Sequence, residues 1–316
     1  MSVLELPLIG AGGERVDFRR TAASHGVGDL PPTRVAADAR SLETTLPLPG
    51  RPPRTVGVAE AHPGTAAITV SGPRPARAEA DALRASVAHI LRLDEDLSPF
   101  YAIAERDPEL AWVAAGAGRL TRSATVFEDV VKTLCTTNCA WSATERMVGA
   151  LVEHLGEPAP DAPPTGPYGR AFPTPEAMAS ADEAFYREVV RAGYRGPYLR
   201  SLAQAVASGE TDLEGLAALS DDELEARLLE LPGIGPYAAA HVMTLLGRYR
   251  RLILDSWTRP RYARLTGGRA KADSTIARRF RRYGAWAGLA FWLFLTADWV
   301  EEESSTAREP PYGEES

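Results

Sequence analysis

The sequence contains few of the residues that build disulfide frameworks and metal sites. Its 316 residues include two cysteines, Cys135 and Cys139, which lie four positions apart on a predicted helix. This pair makes neither a disulfide framework nor a zinc-binding spacing. No set of four cysteines that could hold an iron–sulfur cluster is present either. We therefore expect two reduced thiols in the core of a cytosolic protein, and no metal site.

The chain also lacks an unambiguous membrane-spanning run. Met1 is not followed by the charged and apolar regions of a secretory signal, so none is expected. Residues 283–300 are apolar, but the run is marginal in length, contains Asp298 and has arginines on one side only. We interpret this segment as a buried helix and expect no membrane contact.

Positive charge is scarce overall and concentrated in one stretch. The 35 Lys and Arg residues, of which two are lysines, face 42 Asp and Glu residues, which gives a net charge of −7. Residues 244–282 hold twelve basic side chains against Asp255 and Asp273, so this stretch carries +10 and the remainder −17. A basic face on an acidic body is typical of a phosphate-binding surface. A solvated helical face is the alternative interpretation.

Hydrophobic periodicity divides the chain into a β part and a helical part. Apolar residues alternate over residues 1–72 in short runs separated by Gly/Pro turns, which predicts antiparallel strands. From Pro75 onward they recur at i, i+3 and i+4, which predicts helices. We expect an α+β fold with an antiparallel β domain at residues 1–74, a mostly helical core at 75–300 and an acidic, disordered tail at 301–316.

Loop and capping residues subdivide the helical part. Residues 157–171 are rich in Pro and Gly and predict a loop that links two helical subregions. Thr174 followed by Pro175 predicts the start of a helix. Ser220 predicts another, because its side chain can cap while Glu223 reaches back.

A glycine hairpin at residues 228–243 is the most informative motif. In the run Leu-Pro-Gly-Ile-Gly, Gly233 and Gly235 let the chain turn without a Cβ in the way. The backbone N–H groups there, together with the positive end of the following helix, predict a cradle for a phosphate. About twenty residues later Asp255 stands at the start of a further helix. The combination of the hairpin and Asp255 suggests a protein that binds a DNA backbone and acts on a nucleotide bound beside it.

Together these stretches resemble the helix-hairpin-helix (HhH-GPD) DNA glycosylase superfamily, close to 3-methyladenine DNA glycosylase II and 8-oxoguanine DNA glycosylase. The resemblance extends from about Val16 to Trp299 and is strongest at 134–156, 192–199 and 231–262. It implies an N-terminal antiparallel sheet followed by two helical subdomains with the substrate cleft between them.

The resemblance assigns the catalytic role to Asp255. Cleavage of an N-glycosidic bond builds positive charge on the sugar, and a fixed carboxylate in a poorly solvated cleft stabilises that charge. The carboxylate is also placed to orient the attacking water. The structural alternative is that Asp255 only caps the helix that follows it. Both roles are compatible.

Tyr237 stands where bifunctional members of the superfamily have a nucleophilic lysine. A phenol cannot form a Schiff base, and the two lysines, Lys132 and Lys271, lie elsewhere. The 3-methyladenine enzymes have an aromatic residue at this position. We therefore expect a substrate-pocket residue and a monofunctional enzyme without lysine-dependent lyase activity, with simple packing of Tyr237 as the alternative.

The resemblance also implies residues that handle the opened duplex. Asn138 matches an asparagine that enters the space left by the flipped nucleotide. Tyr194 and Arg195 match a wedge tyrosine and an arginine that holds the partner base, and such contacts would offset the cost of unstacking. Core or capping roles are the alternatives for Asn138 and Tyr194. Ala143 departs from the 8-oxoguanine enzymes, which have a cytosine-reading arginine there.

Further residues are assigned to DNA or to the base pocket. Gly233, Gly235, Arg259 and Arg261 are expected to contact the DNA backbone. Trp257, Trp286 and Trp292 could stack on the extruded base, with Trp257 assigned to the substrate pocket, although tryptophans at such spacings are more often in the core. For His241, one turn beyond Tyr237, a packed and hydrogen-bonded histidine is favoured over a role in the cleft.

The leading hypothesis is a monofunctional DNA glycosylase of base excision repair that removes a damaged, alkylated purine from double-stranded DNA. An 8-oxoguanine or mismatch glycosylase and a non-catalytic DNA lesion-binding protein are the alternatives. No cofactor is expected to be required, although a monovalent cation at the hairpin is left open. The sequence predicts a monomer associated with the nucleoid in the cytoplasm.

Overall fold

The computed structural model describes residues 2–300, and the tail predicted at 301–316 lies outside the described residues. The N-terminal part forms a five-stranded antiparallel sheet in the order β1-β5-β4-β3-β2. Its strands are β1 (Ser2–Pro7), β2 (Arg34–Val35), β3 (Ser41–Leu48), β4 (Arg51–His62) and β5 (Thr65–Val70). The sheet predicted from the alternating pattern is therefore confirmed.

The alternation of apolar residues along each strand decides which face of the sheet is buried. Ala66, Ile68 and Val70 of β5 point to one side and are fully buried, whereas the residues between them are half-buried. A helical excursion between β1 and β2 was not predicted: helix α1 (Phe18–Ala22) and a 3₁₀ turn at Gly26–Asp29 lie there. Asp17 caps α1, which is too short for a 3.6-residue pattern to stand out in the sequence.

The remainder of the described chain is helical, which confirms the α+β class. Its helices are α2 (Arg77–Ile90), α3 (Ser98–Ala104), α4 (Val126–Thr136), α5 (Trp141–Leu155), α6 (Pro175–Ser180), α7 (Arg195–Ala207), α8 (Asp221–Glu230), α9 (Pro236–Leu245), α10 (Thr258–Leu265), α11 (Asp273–Phe280) and α12 (Ala287–Thr296). Short 3₁₀-helices lie at Ala111–Ala115, Glu214–Ala218 and Arg281–Trp286, and a π-helical turn lies at Phe185–Val189.

The helices surround two separate hydrophobic cores. One is built by α4 to α9 and includes Leu134, Leu151 and Val242. The other is built by α3, α10, α11 and α12 and includes Phe280 and Phe291. This division agrees with the two helical subdomains implied by the resemblance. The predicted loop at 157–171 joins α5 to α6, and both of these helices pack in the first core.

Helix α2 packs on the sheet. Leu83, Val87 and Ile90 of this helix share a core with the inward residues of the strands. The hydrophobic core of the sheet thus continues beyond residue 74, and the domain boundary placed at 74/75 stays a prediction.

The fully buried Arg92 joins the sheet part to the hairpin helix α9. Its guanidinium donates to the backbone carbonyls of Thr244 and Leu245, the last residues of α9, and to that of Leu120. Cationic donors at a helix C-terminus satisfy carbonyls that have no partner in the helix and interact well with the helix dipole. Arg92 therefore fixes the end of the helix that begins at the hairpin glycines.

The apolar run at 283–300 forms a kinked 3₁₀ turn followed by α12, whose residues are almost all buried in the second core. Within residues 2–300, no helix is long and apolar enough to cross a membrane. The prediction of a buried helix is confirmed.

Candidate active site

The hairpin has the predicted helix-hairpin-helix geometry, with α8 and α9 on either side of the glycine turn. Helix α8 starts with the predicted capping box, in which Ser220 and Glu223 bond each other's backbone. The chain then turns through Gly233, whose φ of +82° is a left-handed conformation that favours glycine. A Cβ at Gly233 would lie 2.6 Å from Tyr198 Cδ2 and 2.9 Å from Leu134 Cδ2. Gly233 is therefore needed for the turn itself.

Gly235 has a different role. It caps α9 with a φ of −96°, which other residues adopt, and a Cβ there would meet no protein atom within 4 Å. Among the described residues, no backbone acceptor bonds the exposed N–H groups of Gly233 and Gly235. Free amides at a helix N-terminus attract anions. The hairpin thus presents an outward-facing backbone surface suited to a phosphate.

Asp255 caps α10 and still has one free oxygen. Its Oδ1 accepts from the backbone N–H groups of Trp257 at 2.9 Å and Thr258 at 2.6 Å. In the described part of the chain, its Oδ2 has no hydrogen-bond partner, and the side chain is partly exposed. The carboxylate is held rigidly by one oxygen and presents the other to the site, so the structure is compatible with both roles weighed from the sequence.

Helix α12 positions the segment that leads to Asp255. The N–H of Gly288 donates to the carbonyl of Tyr249 at 2.6 Å. A Cβ at Gly288 would lie 2.1 Å from the carbonyl oxygen of Arg251, so only glycine permits this approach. Gly288 is a positioning residue that sequence reasoning missed, because a glycine in an apolar helix gives no sign of what packs on it.

Tyr237 and Asp255 lie within electrostatic reach of each other. Burial and, to a lesser extent, the negative charge of Asp255 raise the pKa of Tyr237 to about 12, although a hydrogen bond with Thr136 acts in the opposite direction. The phenol is therefore neutral near pH 7. The Cys139 thiol also lies close enough to affect this pKa, which places the loop between α4 and α5 beside Tyr237. Cys135 is buried, but Cys139 is only half-buried and belongs to the surroundings of the site.

Asn138 is at the exposed tip of that loop. Its φ of +47° is left-handed, a conformation that asparagine tolerates better than most residues. Its neighbour Thr137 accepts a hydrogen bond from the Tyr194 hydroxyl at 3.3 Å. Tyr194 itself is 52% exposed. Asn138 and Tyr194, predicted from separate parts of the sequence, are therefore brought to one edge of the molecule.

Arg195 is almost fully buried and bonds its own chain. It is 6% exposed, and its guanidinium donates to the carbonyl and the hydroxyl of Thr137 and lies 4.4 Å from the centre of the Tyr194 ring. In this arrangement the arginine holds the loop that carries Asn138. Its expected contact with a partner base stays a prediction.

Tyr198 completes this edge and was missed from the sequence. It packs edge-on against Tyr194, with ring centres 6.2 Å apart, and lies against Gly233. Its position one turn after Tyr194 in α7 was the available signal. The hairpin, Tyr198, Tyr194 and the Asn138 loop thus form one continuous surface, which we call the hairpin edge.

Trp257 shares an aromatic cluster with two other tryptophans. Its ring centre lies 5.6 Å from that of Trp292 and 5.5 Å from that of Trp299. Trp286 stacks instead on Tyr249 inside the second core. Trp257 is half-buried and adjoins Asp255 through its backbone. Its stacking on a substrate base stays a prediction.

The basic stretch is largely paired with acidic residues of the same chain. Arg259 forms a bidentate pair with Asp273, and Arg261 bonds Asp298 and the carbonyl of Leu295. Five of the twelve cations have no ion pair within the described chain: Arg264, Arg269, Lys271, Arg278 and Arg281. The unpaired positive charge therefore lies at residues 264–281, C-terminal to Arg259 and Arg261. These two arginines could contact DNA only by giving up their ion pairs with Asp273 and Asp298.

His241 is packed as predicted, but the expectation that it is hydrogen-bonded is wrong. It is 5% exposed, and across residues 2–300 neither of its ring nitrogens has a partner. The described residues also contain no group of three or more His, Cys, Asp or Glu suited to hold a metal ion. A monovalent cation at the hairpin stays a prediction.

Comparisons with known proteins agree with this geometry, although no protein-family model matches the chain. A protein of Methanothermobacter thermautotrophicus named "Probable N-glycosylase/DNA lyase" is 25% identical over 229 residues, which are 65% of this chain and 71% of that protein.

Two solved structures extend the comparison to the fold. The 3-methyladenine DNA-glycosylase from Archaeoglobus fulgidus superposes with a TM-score of 0.71 at 21% identity, over 94% of this chain and 98% of that one. The Clostridium acetobutylicum 8-oxoguanine glycosylase/lyase, in complex with double-stranded DNA, superposes with a TM-score of 0.68 at 19% identity, over 89% of this chain and 91% of that one. These similarities confirm the resemblance predicted from the sequence: the chain has the fold of the helix-hairpin-helix DNA glycosylases.

Proposed function

We propose that the protein is a DNA glycosylase of base excision repair that flips a damaged base out of double-stranded DNA and hydrolyses its N-glycosidic bond. The observation that carries the proposal is the Asp255 carboxylate: two backbone N–H groups hold one oxygen, and the other has no hydrogen-bond partner within residues 2–300. Its charge acts on the neutral phenol of Tyr237, which lies in the first turn of α9, the helix capped by Gly235. The names of the relative and of the structural neighbours support the same activity.

The chemistry follows from the charge of Asp255. As the bond breaks, the base leaves with the electron pair and the sugar becomes cationic. A carboxylate already fixed in place stabilises that cation without having to reorganise. Water then adds to C1′ and loses a proton, for which the free oxygen of Asp255 is a suitable acceptor. The products are the free base and an abasic site.

We propose that the enzyme is monofunctional. The relative and the Clostridium structure are named as lyases, but a lysine-based lyase step needs an accessible amine at the sugar. Lys132 is 1% exposed, ion-paired with Glu128 and bonded to the carbonyl of Leu30. Lys271 is exposed in the stretch between α10 and α11, and Tyr237 supplies no amine.

We propose an alkylated purine as the substrate. Alkylation makes the base a good leaving group, so a permissive aromatic pocket next to a single carboxylate would suffice. Tyr237 supports this reading, as does Ala143 in place of the cytosine-reading arginine. The 8-oxoguanine name of one structural neighbour favours the second candidate, a glycosylase of narrower scope. Double-stranded DNA is the partner in either case, and the nucleoid of the cytoplasm is then the expected place of action.

The test is base release under single turnover from duplexes that each contain one 7-methylguanine, one hypoxanthine or one 8-oxoguanine. The proposal predicts release of the methylated base by the wild type and a loss of at least about 100-fold in Asp255→Asn. Release of 8-oxoguanine alone would favour the second candidate. Salt-dependent binding without release of any base would identify a non-catalytic lesion-binding protein and overturn the enzymatic proposal.

A further inference from the structure

His241 is a buried polar group whose hydrogen-bonding capacity is unused by the fold. It lies one turn after Tyr237 in α9, and the centres of the two rings are 6.1 Å apart. Within the described residues, neither Nδ1 nor Nε2 has a partner. Buried polar side chains nearly always have one, and an unmet group costs about 1–3 kcal/mol. Such a residue one turn after Tyr237 requires an explanation.

The neighbouring His25 does not supply the missing bonds. Its Nε2 donates to the carbonyl of Thr121 at 2.7 Å, and its Nδ1 accepts from the backbone N–H of Gly28 at 3.3 Å. Both of its nitrogens are therefore used, and its tautomer is fixed. The two imidazoles meet edge-to-face with ring centres 6.2 Å apart. His25 thus supports the ring of His241 without bonding it.

The charge state of His241 suits a neutral ligand. Burial lowers the pKa of His241 to about 4, so its imidazole is uncharged near pH 7. A neutral imidazole offers one donor and one acceptor. The edge of a nucleobase offers the complementary groups, whereas the sugar and the phosphate have no need of an acceptor buried this deeply.

We propose that His241 is a specificity-determining residue that hydrogen-bonds the polar edge of the flipped-out base next to Tyr237 and Asp255. This inference rests on the proposed function and adds to it a substrate class: bases that keep a hydrogen-bonding edge after damage. Sites built around such bonds reject analogues that lack them, because their own polar groups are then left unpaired.

The test separates recognition of the base from catalysis by using Asp255→Asn as the background. Affinities are measured for matched duplexes that contain 7-methylguanine, hypoxanthine, 8-oxoguanine or a tetrahydrofuran abasic analogue. His241→Phe fills a similar volume without hydrogen bonds, and His241→Asn keeps a donor and an acceptor. Thr244→Val is the matched control, because its buried hydroxyl in the same helix bonds only the carbonyl of Ala240.

We expect His241→Phe to weaken binding of at least one base-containing duplex about tenfold, the size of one buried hydrogen bond. Binding of the abasic duplex should change less than twofold, and His241→Asn should recover part of the loss. If His241→Phe changes the affinity of none of the four duplexes, the inference is overturned. His241 would then be an interior histidine whose hydrogen bonds are made by water. A parallel loss on the abasic duplex would also overturn it, in favour of a structural role. Absence of base release by the wild type would instead refute the proposed function, since these affinities do not depend on turnover.

Discussion

Asp255 and Thr258 cap each other across the start of α10. Asp255 Oδ1 accepts from the backbone N–H of Thr258 at 2.6 Å, and Thr258 Oγ1 accepts from the backbone N–H of Asp255 at 2.8 Å. Thr258 is fully buried, so this reciprocal pair cannot rotate freely. The orientation of the proposed catalytic carboxylate is thus determined by the start of a helix.

This pairing predicts that stability and activity respond differently to two substitutions of Asp255. Asparagine retains an acceptor oxygen for the cap, so Asp255→Asn should change the free energy of unfolding by less than about 0.5 kcal/mol while the rate falls at least about 100-fold. Asp255→Ala also removes the cap and should cost about 1 kcal/mol more. Urea unfolding and single-turnover base release measure the two effects.

Thr258→Val is the matched control, because it removes only the hydrogen bond from the backbone N–H of Asp255 to the threonine hydroxyl. It should lower stability by about 1 kcal/mol and reduce the rate less than Asp255→Asn does. The capping argument is wrong if asparagine and alanine at position 255 unfold at the same urea concentration.

Replacing the two hairpin glycines by alanine should have different effects: a loss of stability at Gly233 and a loss of DNA affinity at Gly235. Gly233→Ala places a Cβ within 2.6 Å of Tyr198 in a left-handed conformation, so it should destabilise the fold by about 1–3 kcal/mol. Gly235→Ala meets no protein atom and should leave stability unchanged or slightly raised. Its methyl group, however, stands where a phosphate would approach the backbone N–H groups.

Binding to undamaged duplex DNA, measured beside thermal unfolding, distinguishes the two glycines. We expect Gly235→Ala to lose about tenfold or more in affinity at an unchanged melting temperature. An unchanged affinity in a folded Gly235→Ala protein would show that the hairpin does not hold the DNA backbone.

The absence of an amine at position 237 predicts that the wild type forms no Schiff base. Borohydride treatment of the protein with DNA that contains an abasic site should give no covalent complex, because Lys132 is buried and paired. Tyr237→Lys is the positive control, since it places an amine beside Asp255. A wild-type cross-link that disappears in Lys271→Arg would contradict the monofunctional proposal.

Much of the fold could be predicted, because the hydrophobic periodicity of a long segment indicates whether it forms a helix or a strand. The short alternating runs of the first 72 residues form strands, and the capping box at Ser220 starts a helix, as predicted. Short elements such as α1 were missed, because five residues do not complete two helical turns. The packing of α2 on the sheet was missed as well, since an apolar face does not show in the sequence which surface it will cover.

Site residues could be predicted from the sequence where the local backbone requires a particular residue type. Gly233 and Asp255 belong to that class, since a left-handed turn and a helix cap leave recognisable patterns. Arg195 does not: nothing local distinguishes an arginine that contacts DNA from one that bonds the carbonyl of Thr137. The ion pairs of Arg259 and Arg261 join residues 14 and 37 positions apart, so a count of charges along the sequence overstated the free cations.

Arg195 is predicted to act on DNA through the loop that it holds. Arg195→Met would leave the carbonyl of Thr137 without its guanidinium donor and loosen the tip that presents Asn138, so duplex affinity should fall about tenfold. Arg195→Lys should behave similarly, because an ammonium lacks the planar fork with which the guanidinium reaches both oxygens of Thr137. Arg200→Met is the control, since this arginine lies in the same helix but pairs with Glu183. Equal DNA affinities for the variants at 195 and 200 would rule out this role.

Buried neutral histidines should make the fold less stable in mild acid. Burial lowers the pKa of His25 to about 3 and that of His241 to about 4, below the ordinary value of 6.5, so the unfolded chain binds more protons than the folded one as the pH falls below 6.5. Each histidine should cost about 1–2 kcal/mol of unfolding free energy between pH 7 and pH 5. Burial raises the pKa of Asp129 to about 6, which acts in the opposite direction and offsets part of this loss. The free energy of unfolding, measured in urea at several pH values, should therefore depend less on pH in His241→Phe than in the wild type. A wild-type slope in His241→Phe would mean that His241 is already protonated or solvated in the folded protein.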